Sequence, residues 1–456
     1  MSTSSSADVR SRMMSRRAVV GAATGSVAMA LGLRGADAAP FSAPTLLLQE
    51  PTEIRFWHQE AVPKRVEVFQ KFIDAFNAEN TDIRVVQESQ GWDTAFSKLV
   101  SALTAGNPPD VMLSLPALTM TMQSRGEIIP VDDIVESVNS KYTLVESQLT
   151  PFKYQDATWG VPMWGMTFLL HYRTDLLEGA GVANPPATWA EWLDASKKMT
   201  GGGKYGIILP ANKNLFTTEN FYTMMINTGG RIYGPDGKIA FSSPETVEAL
   251  TFYKDMVKAA APPDATSLDW GTWEQALLRG IGASTNAFSS WRQAMDETDL
   301  KDNWSAVAQP AKDGGKPGQI HYPNNFMVFK QAEAKKEAIT RFTEFMHQPE
   351  INGEWLATME PTLYLPITEA SQKADSFWSH PVIAAHRPMV EKQLEVLPLG
   401  QLYGFEDPGA YNPTVGEFEG SGVLGEIVQR MVIEDLSPQE AADFGQTRIE
   451  EVLKLQ

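Results

Sequence analysis

From Thr52 onward, short β-rich runs alternate with apolar residues at helical spacing. Ile54 to His58 forms the first run, and Val66, Phe69, Phe72, Ile73 and Phe76 then recur every three or four positions up to Asn80. Ile83 to Glu88 predicts a second strand. Asp93 is placed to cap a helix with Phe96, Leu99, Val100 and Leu103 inward, stopping at Gly106 before Pro108-Pro109. Val111 to Leu115 predicts a third strand. Three strands joined by two helices imply right-handed crossovers and a parallel sheet covered on both faces. Ligands of such open sheets lie beyond the carboxyl ends of the strands, so Trp57, His58, Gln59, Glu60, Gln90, Trp92 and Ser114 fall on one rim.

A second unit of the same kind begins with a strand at Phe168 to Tyr172, after the loop Gly160 to Gly165. Thr188 and Glu191 form a capping box for a helix carrying Trp189, Trp192 and Met199 as core residues. Gly201-Gly202-Gly203-Lys204 follows that helix rather than a strand and lacks the phosphate-loop spacing, so it reads as a turn. Gly234-Pro235-Asp236-Gly237 turns a hairpin, and Ser243-Pro244 opens a helix with Val247, Leu250, Tyr253 and Val257 inward. Tyr322 to Phe329 is again a strand, Pro361 to Ile367 a short extended crossing, and the remainder mostly helical. The fold class is α/β.

Composition narrows the chemistry. The chain has 456 residues, enough for two to four domains, and a net charge of −18, which disfavours nucleic acid and anionic lipid surfaces. It has no cysteine, which removes disulfides, thiol nucleophiles, thiolate metal sites and a lipid-bearing cysteine. Six scattered histidines make no metal-ligand spacing, so neither a metal nor a cofactor is expected. Arg10, Arg12, Arg16 and Arg17 precede the small-residue apolar run Ala18 to Leu33, and Ala36-Asp37-Ala38 follows as a cleavage site. Residues 1–38 therefore read as a signal peptide, and Ser15-Arg16-Arg17 resembles the twin-arginine export signal. A soluble, non-lipidated periplasmic protein is expected.

The remainder resembles extracellular solute-binding protein family 1, the periplasmic receptors of ATP-binding-cassette sugar importers. The resemblance is carried, in order, by Ile54-Arg55-Phe56-Trp57-His58, Phe76 to Asn80, Ile83 to Glu88, Ala105 to Val111, Pro186 to Glu191, Ser243 to Val257, Lys336 to Met346, Tyr364 to Ile367 and Ser437 to Ala441. It implies a two-lobe periplasmic binding protein fold of type II, with ligand in a cleft between hinge-linked lobes. The implied lobes are 39–162 with 322–363, and 166–318 with 367–456. It also implies a membrane permease as partner, a monomer, and no catalysis.

Carried over position by position, the family's ligand-binding sites fall on Trp57, Gln59, Glu60, Trp92 and Ser114 in the first lobe. In the second they fall on Trp164, Glu219, Asn220, Tyr222, Ser290 and Trp291, with Asn324 and Asn325 at a crossing; Trp270 and Trp273 are looser candidates. Tryptophan faces stack on the CH-rich faces of sugars, while amides and carboxylates meet hydroxyls. A glycerol-phosphate-binding branch of the family gives the alternative, an anionic polyol. The segment where that branch supplies an arginine reads Gly400-Gln401-Leu402-Tyr403 here, leaving Arg292 and Lys213 as substitutes. A secreted glycoside hydrolase needs only two suitably spaced carboxylates, and is the remaining reading from a different class.

Overall fold

The computed structural model describes residues 50–454 apart from 316, 407–410 and 413. The signal-peptide and export readings lie outside the described residues. Strands β1 (Thr52–His58), β2 (Ile83–Ser89) and β3 (Val111–Ser114) are parallel with β1 in the middle, and α1 (Pro63–Glu79) and α2 (Trp92–Thr104) make the crossovers. α1 buries Phe69, Phe72, Ile73 and Phe76, the positions its spacing marks.

α2 departs from expectation in two ways. Its N-cap is Gly91 at φ 61°, so Asp93 lies within the first turn rather than capping it; that conformation carries no strain for glycine alone. Its buried face carries Ala95 and Leu99, while Phe96 is 47% exposed. α3 (Pro116–Ser124) follows β3 almost directly.

β4 (Val161–Thr167) leads into β5 (Leu169–Arg173), the central strand of a second sheet. α4 (Leu215–Thr228) is buried along nearly its whole length and closes on Gly229 in the left-handed conformation. β6 (Ser284–Ala287) and β7 (Trp304–Val307) flank β5, both antiparallel to it. The longest strand, β8 (Gln319–Val328), runs antiparallel to β3 and to β4.

Two cores result, and β8 joins them: Ile320 and Tyr322 belong to the core around α4, and Phe326 and Val328 to the core around α1. β4 passes the other way, with Val161 and Met163 in the α1 core and Phe168 beyond it in the α4 core. A third crossing lies beside them, since Gly165 exchanges backbone hydrogen bonds with Leu365 and is paired with Pro323. A Cβ on Gly165 would sit 2.5 Å from Gln148 Oε1 and 3.1 Å from Leu397 Cδ1, so a larger residue there would push those side chains aside.

The tail of the chain divides differently from the sequence expectation. Ile367, Phe377, Ile383, Val390, Val396 and Leu397 pack into the α1 core, beside α5 (Pro349–Met359), and α6 (Arg387–Val396) goes with them. Residues 367–397 therefore do not join the second core. α7 (Val415–Ser421) and the helices after it do.

Candidate functional site

A cavity of about 420 Å³ opens where α2 and α3 face α7. Phe96, Ala117, Leu118, Thr121 and Arg125 form one wall, and Gly416, Glu417 and Glu419 the other. Phe96 stands one helical turn beyond Trp92 and both are 47% exposed, so α2 presents two aromatic residues on one face, of which Phe96 lines the cavity. Arg125 is exposed and makes no ion pair among the described residues.

Behind Glu419 runs a chain of hydroxyls and carboxyls. Tyr403 donates to Glu419 at 2.7 Å, the Tyr322 and Tyr403 hydroxyls are 2.8 Å apart, and Tyr322 in turn bonds Glu219. The hydroxyl protons can run either way along this chain, towards Glu419 or towards Glu219, and Glu219 Oε2 has no partner among the described residues. Burial and the nearby Glu419 charge push the pKa of Glu219 well above the carboxylate range, against the lowering effect of the Tyr322 hydroxyl. Burial also raises Glu419, and raises Glu406, which accepts from Tyr222, to about 7. This is a polar chain of alternating donors and acceptors that ends on a cavity wall, the chemistry that meets hydroxyl groups.

The residues expected from the sequence divide into three groups. Glu219 belongs to this network, Tyr222 packs edge-on against Tyr403 while bonding Glu406, and Trp92 is exposed one helical turn before Phe96. A second group is committed to local bonds: Asn220 donates to the Phe216 carbonyl at 3.0 Å, Asn325 pairs with Thr119 at 2.9 Å, and Ser114 donates to the Leu115 carbonyl at 3.3 Å. Glu60 belongs to the same group, since Arg65 bonds it at 2.6 Å and reaches Glu360 at 2.5 Å. Gln59 Oε1 and Asn324 Nδ2 are buried with no partner, and Ser290 is half-buried.

The third group is packed as core. Trp57 lies among Leu99, Met112 and Met122 on the sheet face. Trp164 is fully buried, with Trp355 at 5.3 Å and Tyr364 at 4.8 Å. Trp291 is enclosed by His171, Trp273 and Trp304. The expectation that Trp164 and Trp291 offer faces to a ligand does not match this packing, because other rings already occupy their surroundings. Trp273 is buried and bonds Thr285 at 2.8 Å, Trp270 stacks on Phe216 at 4.2 Å, and Lys213 is paired with Glu426. Sequence reasoning missed Phe96, Arg125, Tyr403 and Glu419. Only Phe96 left a usable signal, as a second aromatic four residues after Trp92.

Among the described residues no helix is long and apolar enough to cross a membrane, and no cluster of side chains is set to hold a metal ion. The chain is similar to the periplasmic-binding protein YcjN of an Escherichia coli ABC transporter, 25% identical over 88% of this chain and 93% of that one. It is 25% identical to the sn-glycerol-3-phosphate-binding protein UgpB of Yersinia enterocolitica, over 70% and 75%. Its fold matches the cyclic alpha-maltosyl-1,6-maltose binding protein of Arthrobacter globiformis with a TM-score of 0.75 at 20% identity, over 89% of this chain and all of that one. The two cores and three crossings are thus the lobes and hinge of a type II binding protein. With the family model of bacterial extracellular solute-binding proteins matching residues 63–352, the chain belongs to that family, whose members bind a solute rather than transform it.

Proposed function

We propose that this receptor captures a neutral carbohydrate or related polyol and delivers it to an ABC import permease. The observation carrying this reading is the meeting, at one cavity, of the Phe96 ring with the chain of hydroxyls and carboxyls behind Glu419. Aromatic surface suits the apolar faces of a sugar ring, and the Glu219 and Glu419 carboxyls, whose pKa values burial raises, suit hydroxyl partners without needing a countercharge. The sugar-binding relative by fold supports it. One observation favours a second reading, an anionic polyol of the kind named for UgpB: Arg125 stands in the cavity without an ion pair.

Calorimetry with saccharides, alditols and glycerophosphodiesters at several ionic strengths separates them. For a neutral ligand, binding is expected to be insensitive to salt and to Arg125→Gln. Glu219→Ala should weaken it by about 1–3 kcal/mol through unpaired buried groups, and Phe96→Ala by about 0.5–1.5 kcal/mol. Tight binding of a phosphorylated compound, weakened by salt and abolished in Arg125→Gln, would replace this reading with the second.

The lobes close about the crossings at 162–165, 320–325 and 362–366, the first lobe comprising 50–162, 325–363 and the helices up to 397. The protein acts as a monomer outside the cytoplasm, sent there through Ser15-Arg16-Arg17 and free of lipid because it has no cysteine. Replacing Arg16 and Arg17 by lysine is expected to leave precursor in the cytoplasm; unchanged export by cell fractionation would refute the twin-arginine route.

A further inference from the structure

We propose that a second cavity, on the seam between the two cores and separate from the one above, binds a small oxyanion, a phosphate or carboxylate group. It measures about 450 Å³, and its walls include Arg292, Asp296, Lys301 and Trp304 on one side and His386 and Met389 on the other. Trp304 belongs to the α4 core and Met389 to the α1 core, so an occupant would touch both.

Arg292 carries the argument. It is 4% exposed, and its Nε and Nη1 donors meet no acceptor. The countercharge nearby is incomplete. Asp296 attracts Arg292, but its Oδ2 is already bonded to His386 Nε2 at 2.7 Å. Among the described residues the guanidinium carbon also lies 5.3 Å from the Trp291 ring, a weaker compensation. A buried donor without a partner is costly, and a guanidinium keeps its charge at neutral pH, so the group can be neither silenced nor hidden. A water could accept from the donors but would bring no charge. An oxyanion in the cavity would accept from the guanidinium and neutralise it.

Lys301, exposed on the same wall and without an ion pair among the described residues, adds a second cation within reach of an occupant. Asp302 and Asp296 on the wall repel additional negative charge, which restricts the site to one compact group rather than a polyphosphate or an acidic peptide.

The test is titration of the full chain with inorganic phosphate at constant ionic strength, followed by calorimetry and by 31P line width. Saturable uptake of one phosphate is expected, weakened at least tenfold in Arg292→Gln and several-fold in Lys301→Gln, and unchanged in Lys213→Gln and Arg125→Gln. Lys301 lies on the surface, so its variant remains informative even if Arg292→Gln fails to fold. Absence of saturable uptake at millimolar phosphate, uptake unaffected by Lys301→Gln, or uptake lost in Arg125→Gln would each overturn the proposal, the last by moving the anion to the first cavity.

Discussion

Acidification from pH 6.5 towards 4 is expected to unfold the protein. Burial lowers the pKa of His58 to about 4 and those of His171 and His321 to about 3, against an ordinary value of 6.5. His171 is further depressed by the neighbouring Arg292 charge. Between those values the unfolded chain binds protons that the native chain refuses, so stability is fully present above pH 6.5 and is lost as pH falls through the native values. At 1.36 kcal/mol per unit, each group removes about 3–5 kcal/mol, and three together rival the whole stability of an ordinary domain. The geometry at His321 agrees, because its Nδ1 lies 2.7 Å from the Gln148 amide nitrogen and must accept, which an imidazolium cannot do. Glu406 has the opposite sign. Its native pKa of about 7 means that it gains protons more readily when folded, and so stabilises as pH drops from 7 to 4.5; Glu219 and Glu419, also raised by burial, act in the same sense, while His347, lowered by burial, adds to the histidine side. Urea midpoints measured from pH 7 to pH 4 should fall steeply below pH 6; constant midpoints down to pH 4 would show that these histidines titrate normally.

Trp164→Ala is expected to cost about 3–5 kcal/mol of stability while leaving ligand affinity almost unchanged. The ring has no exposure, and its removal would leave Trp355 and Tyr364 facing a void. Phe96→Ala should do the reverse, because its exposed ring holds no core in place and stands at the cavity mouth. Urea unfolding and calorimetry on the two variants give a crossed result if the packing assigns their roles correctly. Lost affinity with intact stability in Trp164→Ala would return that ring to the ligand.

The contrast shows what can be read from a sequence of this kind. The parallel sheet was legible because strand and helix periods differ, and β1, β2 and β3 occur where the period changes. Phe96 was not, since an aromatic residue facing a ligand adds to an apolar stripe in the same way as one facing the core. Glu219 and Tyr222 were placed near the site by family resemblance, yet the bonds linking Tyr322, Tyr403 and Glu419 join positions 81 and 16 residues apart. No local pattern encodes such pairings. The same reason hid the attachment of residues 367–397 to the first core, which depends on apolar side chains meeting α5 rather than on their own spacing.

One residue at the third crossing bears on timing. Thr362 is fully buried with φ at 69°, in a region where a β-branched side chain is strained by roughly 1–3 kcal/mol. Two contacts hold it there: its hydroxyl donates to the Ser289 carbonyl at 3.3 Å, and its own carbonyl accepts from Gln393 at 2.9 Å. Those partners sit on different parts of the molecule, Ser289 just after β6 and Gln393 on α6. The crossing therefore works as a cocked spring with two catches. Drawing either catch away would let the backbone relax, so under the proposed closure Thr362→Gly is expected to change the rate of solute release although the residue need never touch the solute.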